Sequence, residues 1–321
     1  MPACPKDGAT CHTGPPIKRN RTMNVPTNSL QAWLLASRPK TLTAALIPIL
    51  PGAALAGRDG HFGLVPVLLC ALFACLMQVA ANFINDLYDY RKGTDREDRL
   101  GPERACAQGW ITPRAMTGGI LTVITLACLT GCTLLGMCWE HLPYHGWELV
   151  ALGALCVVFA FLYTTRLSYW GWGDLLVLVF FGFVPTGGTY YVQAYALTAD
   201  VAIASLVCGL AIDTLLVVNN YRDREQDAIS GKHTLIVRLG EPFGRYMYLA
   251  LGIAATLLSL WMVRGNGAIA LLLPLVYLAL HILTWRKMAR IRSGKKLNSI
   301  LGETSRNMLF LGILLSVAIL L

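Results

Sequence analysis

Long apolar runs separated by short polar stretches set the pattern of this chain. From about residue 30 onward, nine runs approach or exceed the roughly 20 apolar residues a helix needs to cross a bilayer. They fall at 31–57, 63–90, 113–138, 146–165, 172–196, 200–222, 243–263, 267–286 and 303–321. The pattern predicts an all-α integral membrane protein of about nine transmembrane helices. Pro48, Pro51 and Pro185 predict kinks in spans one and five. The pairs Gly118-Gly119 and Gly187-Gly188 predict close helix packing.

Residues 1–29 break the pattern. They carry proline, glycine, lysine and arginine without an apolar core, which predicts a disordered tail. Their basic residues are not closely followed by an apolar h-region and cleavage site, so they do not read as a signal peptide. Met23 opens a more plausible beginning, MNVPTNSLQAWLLASRPKTL. The expected start therefore lies near residue 23, and the expected membrane domain is 30–321.

Composition agrees with the runs. The chain is 55% hydrophobic and 14% charged, where a soluble domain carries about 25% charged residues. Mean hydropathy is +0.54. Six of the ten cysteines (Cys70, Cys75, Cys128, Cys132, Cys156 and Cys208) sit in apolar runs and read as small buried hydrophobes. Cys4, Cys11 and His12 lack a second ligand pair for zinc.

The net charge of +9 raises nucleic acid as a partner, and its distribution removes it. Of the 27 lysines and arginines, all but Arg58 and Arg264 fall in the tail and first-span entry or at the loops after even-numbered spans. Such asymmetry supports the span count and places the N-terminus in the cytoplasm. Nine spans then put the C-terminus outside. The basic run 286–296 reads as a topology determinant in contact with anionic lipid.

Two acidic stretches close even-numbered spans. NFINDLYDYRKGTD runs from Asn82 to Asp95, and NNYRDREQDAISGK from Asn219 to Lys232. Both are thus expected at one membrane surface. Asp86 and Asp89 are spaced i, i+3, and Asp223 and Asp227 i, i+4, so each pair shares a helix face with Cβ atoms roughly 5–6 Å apart. Two carboxylates at about 6 Å repel by roughly 3 kcal/mol at an effective dielectric of 20, so a facing set calls for cations. Oxygen clusters of this type suit Mg²⁺, which takes one or two carboxylates and completes its shell with water and phosphate.

Solvated helix ends are the bland alternative. Against it, Asn82, Asn85, Asn219 and Asn220 place polar groups deep in their spans, where such residues face a bundle interior. Asp213, Asn220, Asp223 and Asp227 share one face of span six. Arg91, Lys92, Arg222, Arg224 and Lys232 interleave with the acids; beside a bound cation they become candidate diphosphate clamps. The set points to a pyrophosphorylated substrate with a lipid tail.

NDLYD with KGTD, and NNYRDREQD followed by GKHTLIVRLG, resemble the two aspartate motifs of the UbiA superfamily of membrane aromatic prenyltransferases. The resemblance covers nearly all of 31–321. SRPKTL at Ser37–Leu42, DRLGPERACAQGWITPRAM, and GTYYVQ at Gly188–Gln193 are most similar to the branch that prenylates 1,4-dihydroxy-2-naphthoate. It implies nine helices around a central cavity capped by the motifs, in a multi-pass protein of the bacterial inner (plasma) membrane. It implies Mg²⁺ as cofactor, polyprenyl diphosphate and 1,4-dihydroxy-2-naphthoate as substrates, loss of CO₂ and pyrophosphate, and a place in menaquinone synthesis. By position, Asp86, Asp89, Asp223 and Asp227 would bind Mg²⁺, supported by Asn82, Asn85, Asp95 and Asn220. Lys92, Arg222 and Lys232 would contact diphosphate, and Arg38 the carboxylate of the aromatic acid. CAQGWITP departs from the simpler small-residue loop of the family.

Three alternatives stay open at this point. The acceptor is another aromatic, such as 4-hydroxybenzoate, homogentisate or haem. The chain is a transporter with intramembrane acids, which predicts inverted repeats and midplane sites. Or it is a non-catalytic scaffold. Asp174 reads as a helix-start carboxylate, and Tyr190, Tyr191 and Gln193 as interfacial or packing residues. His61, His141, His145 and His281 show no pairing that predicts catalysis.

Overall fold

A computed structural model describes residues 25–93 and 99–321. The expected tail through residue 24, and Asp95, lie outside the described residues. Regular structure among the described residues is helical throughout, and nine helices are long and apolar enough to cross a membrane. They are Pro39–Arg58, Leu64–Lys92, Pro113–His141, Trp147–Trp170, Gly173–Ala194, Ala199–Ile229, Glu241–Met262, Ala268–Ile291 and Leu297–Leu320, here called spans one to nine.

The start of span one differs from expectation. Leu30–Ser37 forms a separate helix whose N-cap, Ser29, accepts from the Ala32 amide at 3.3 Å. Arg38 then takes a left-handed conformation, φ 50° and ψ 69°. The cause is local: Pro39 disfavours right-handed helix in the residue before it. Span one itself breaks between Leu46 and Ile49, at Pro48. Span five carries a π-turn, Leu178–Phe183, immediately before the helix that holds Pro185 in its first turn. A second π-turn, Tyr163–Leu167, lies near the end of span four. Such turns widen a helix and re-aim its side chains.

Span six is the hub. Two-thirds of its apolar window (67%) is buried, the largest share of the nine, and it packs on spans one, five, seven and nine. The diglycine pairs contribute unevenly: a Cβ on Gly119 would stand 2.5 Å from the Trp33 ring, so close packing does occur at the first pair. A Cβ on Gly118 or Gly188 would meet nothing within 4 Å. Close approach occurs at Gly182, where a Cβ would stand 2.5 Å from the Ser205 carbonyl, and at Gly252, 2.2 Å from the His281 ring. One glycine of the first pair and single glycines at other crossings thus share the close packing.

The last residues of the expected tail are held in place. Val25 is buried. Asn28 donates its amide to the Trp110 carbonyl at 2.7 Å and accepts from the Thr112 amide at 3.1 Å. This segment thus braces the loop between spans two and three. GTYYVQ lies at the opposite end of the bundle. Tyr190 donates to Asp59 at 2.8 Å, Tyr191 to Glu148 at 2.9 Å, and Gln193 accepts from the Gly63 amide at 2.8 Å. These are packing roles.

Candidate active site

The ends of spans two, four and six converge. Lys92 closes span two, and its Nζ lies 4.0 Å from the Tyr169 ring centroid. Lys232 follows span six, and its Nζ lies 5.4 Å from the same centroid. Tyr169 sits in the last turns of span four. One ring therefore has a lysine from each acidic stretch over it, so the two stretches share one end of the bundle. Deeper in, Tyr163 is within electrostatic reach of Asp89, Asp174, Asp213 and Asp227. Both stretches contribute carboxylates to that neighbourhood.

The first pair points at the loop after span two. Asp86 is 1% exposed, and its two oxygens accept from the backbone amides of Ala105 and Cys106, each at 2.8 Å. Asp89 receives Arg104 Nη2 at 2.6 Å. The loop can reach because residues 104–111 fold into a tight turn: the amides of Gln108, Trp110 and Ile111 donate back to the carbonyls of Arg104 and Ala105. Ala105, Cys106, Trp110 and Ile111 bury against Phe83, Ile84 and Leu87 of span two. CAQGWITP is thus the lid over the first acidic pair.

The second pair is neutralised from within its own stretch. Asp223 takes a two-pronged contact from Arg222, 2.7 Å from Nε and 2.6 Å from Nη2. Asp227 faces Lys232 at 3.7 Å. Arg222 is 4% exposed; its Nη1 donates to Asn298 Oδ1 at 2.8 Å, and Asn298 Nδ2 donates to the Leu100 carbonyl at 2.9 Å. Asn298, at the start of span nine, so ties the second stretch to the loop after the first.

The supporting asparagines divide. Asn82 donates to the Ser37 carbonyl at 2.9 Å and to Thr41 Oγ1 at 3.0 Å, fastening the chain on both sides of Arg38. Asn85 accepts from Thr164 at 2.8 Å, linking the first stretch to the π-turn of span four. Asn220 is half-buried on span six. Arg38 turns inward: its Nη2 is shut from solvent with no hydrogen-bond partner. Burial pushes its pKa down to about 9, Arg104 and Arg99 push the same way, and Asp86 and Asp89 pull it back. A guanidinium keeps its proton, so the downward push reflects a cation short of counter-charge beside the acids.

Sequence reasoning missed Arg104 and Asn298. Both lie in polar stretches between spans, where several arginines and asparagines look alike; only the folded loop selects the inward ones. Asp174, expected as a helix-start carboxylate, does open span five, and it lies near Asp213, which is 2% exposed.

Hard oxygen donors fit Mg²⁺ in type. Among the described residues no three carboxylate, histidine or cysteine groups converge into a ready cage. Arg104, Arg222 and Lys232 stand against the carboxylates instead. This still fits an ion that binds through one or two carboxylates and takes its other ligands from substrate phosphate and water.

Residues 45–314 match the UbiA prenyltransferase family. The chain belongs to that family. Among its UbiA relatives, 1,4-dihydroxy-2-naphthoate octaprenyltransferase of Haemophilus influenzae is 40% identical over 242 residues, 73% of this chain and 78% of that protein. The Escherichia coli protein of the same name is 39% identical over 225 residues, 69% of this chain and 72% of that one. The fold is shared with a UbiA homologue from Aeropyrum pernix, with a TM-score of 0.65 at 18% identity, covering 88% of this chain and 98% of that one. A homologue from Archaeoglobus fulgidus, solved bound to GPP and Mg²⁺, gives a TM-score of 0.62 at 15% identity, covering 90% and 99%. UbiA membership makes the chain a prenyltransferase and closes the transporter and scaffold readings.

Proposed function

We propose that this chain transfers a polyprenyl group from polyprenyl diphosphate to 1,4-dihydroxy-2-naphthoate, releasing pyrophosphate and CO₂ and forming demethylmenaquinone. The convergence of Lys92 and Lys232 on one ring, beside carboxylates of both acidic stretches, carries the donor half of this reading. The acceptor half rests on relatives of that name at 39–40% identity.

Asp89, Asp223 and Asp227 would hold Mg²⁺, with Asp95, which follows Asp89 in the first stretch, in support. Asp86, named with them from the motif, has each oxygen engaged by a backbone amide, which leaves its second lone pairs for that duty. When bound, the ion supplies Lewis-acid charge to the diphosphate oxygens. Lys92 and Lys232 receive the diphosphate, and Arg222 adds a fixed positive charge behind it. As the allylic C–O bond breaks, these cations stabilise the departing pyrophosphate without reorganising. The loop 104–111 and the apolar bundle keep water from the carbocation. Arg38, short of counter-charge, orients the naphthoate carboxylate so that the electron-rich ring attacks the prenyl C1. The site would face the cytoplasm, in a multi-pass protein of the bacterial inner membrane, with residues 30–321 as its membrane domain.

The test is a turnover assay in purified membranes with Mg²⁺, several polyprenyl diphosphates, and either 1,4-dihydroxy-2-naphthoate or 4-hydroxybenzoate, with products identified by mass. We expect a prenylated naphthoquinol from the first acceptor and none from the second, and loss of turnover in folded Asp89→Ala and Asp223→Ala proteins. Product from 4-hydroxybenzoate alone overturns the acceptor; wild-type rates in either variant overturn the metal assignment.

A further inference from the structure

We infer that Tyr169 is a positioning residue for the diphosphate: its ring holds Lys92 and Lys232, one from each acidic stretch, at a spacing that one diphosphate can reach across. This rests on the donor half of the function proposed above.

Two ammonium groups repel, and two flexible four-carbon stems have no reason to settle together. Here both nitrogens lie over one aromatic ring, at 4.0 and 5.4 Å from its centroid. The negative face of the ring attracts each cation and offsets their mutual repulsion. The nitrogens are then no further apart than those two distances together, a gap that one diphosphate spans.

The ring is fixed with respect to both lysines. Lys92 Nζ also donates to the Thr165 carbonyl, one turn before Tyr169, at 3.1 Å. On the other side, the amide of His233, the residue after Lys232, donates to the Tyr169 carbonyl at 2.8 Å. Gly171 makes that approach possible: its φ is +83°, and a Cβ there would stand 2.5 Å from the His233 carbonyl. Arg238 Nη2 closes the same seam on the Trp170 carbonyl at 3.1 Å. The turn 163–172 is therefore a rigid bridge between two motifs far apart in sequence, and Tyr169 is the part of it that faces their cations.

The ring holds both lysines close together, while Lys232 also faces Asp227 at 3.7 Å and Lys92 the Thr165 carbonyl at 3.1 Å. A diphosphate reaching both gives each lysine full negative charge in place of a weak quadrupole, with little search by either side chain.

The experiment uses the full chain in lipid nanodiscs. Direct binding of inorganic pyrophosphate with Mg²⁺ is measured by calorimetry, and KM is measured separately for a polyprenyl diphosphate and for the naphthoate. Tyr169→Leu is expected to weaken pyrophosphate binding and raise the donor KM by roughly tenfold each, the scale of two lost cation–π contacts, with the naphthoate KM unchanged. Tyr169→Phe, which keeps the ring face, is expected to behave as wild type. Pentafluorophenylalanine at position 169 keeps the packing and removes the negative face, so it is expected to match Tyr169→Leu even if the leucine protein fails to fold. Wild-type pyrophosphate affinity in the fluorinated protein, or equal damage in Tyr169→Phe, overturns the inference. If wild type itself binds no pyrophosphate, the donor reading falls instead, which separates the two failures.

Discussion

Arg104 and Asp89 meet at 2.6 Å with 8% and 11% of their side chains exposed. A buried ion pair contributes little net stability while intact, but removing one partner leaves an uncompensated charge, at a cost of about 3–5 kcal/mol. Arg104→Ala should therefore unfold at lower temperature and lose most of its turnover, while Arg104→Lys recovers stability before activity because lysine lacks the planar fork. Thermal unfolding in detergent, read beside turnover, checks both; an Arg104→Ala protein as stable and active as wild type would show that Asp89 needs no partner. Asp86 works differently. Its anchoring of two backbone amides makes it the residue through which span two holds the loop, and no motif spacing distinguishes that task from ligation.

Helices meet closely at Gly182 and Gly252 as well as at Gly119 of the first diglycine pair. Gly252→Ala places a methyl 2.2 Å from His281, whose ring is stacked on Tyr248 at 4.4 Å and cannot swing away. Overpacking of this kind costs about 1–3 kcal/mol, so the variant should show a clear drop in Tm. Gly188→Ala, with open space around it, should unfold like wild type, and an equal loss in both would contradict the packing. At the far end of the bundle, Arg58 bridges Asp59 at 2.9 Å and Asp200 at 2.8 Å, clasping the end of span one to the start of span six. The Arg58 hydrogen bond, with that of Tyr190, holds the Asp59 carboxyl below its usual 3.8. A depressed carboxylate adds stability above its unfolded value and loses it as pH falls through the folded one. Unfolding followed in detergent from pH 6 downward should show wild type losing this increment below about pH 4, and Asp59→Asn lacking it; identical acid curves would remove the clasp from the stability balance.

Nine spans and one-sided basic loops make a claim about the whole molecule. Span nine alone separates the loop at Ser293 from Leu321, so the two should lie on opposite sides. Alkaline phosphatase fused after Leu321 should be active, and fused at Ser293 inactive, with the pattern reversed for a reporter that fluoresces only in the cytoplasm. Matching activity at both points would remove span nine as a crossing, and an active fusion at Ser293 would detach the acidic stretches from the cytoplasmic face.

Much of this architecture follows from one-dimensional regularities. Span number and the placing of the two acidic stretches at the ends of even-numbered spans are written in runs of apolar residues and in where charge interrupts them, because a bilayer allows a polar backbone to cross only as helix. Which motif residue faces which partner is not written there. Asp86 and Asp89 share a spacing and a face, yet one holds backbone amides and the other an arginine, and Arg104 is indistinguishable in sequence from Arg99. Those choices depend on how the loop after span two folds back on its helix and on which ring, Tyr169, comes within reach of two lysines distant in sequence. Membrane crossing is a local, additive property of each segment. The site is made by contacts between segments, and contact is decided only when the bundle closes around span six.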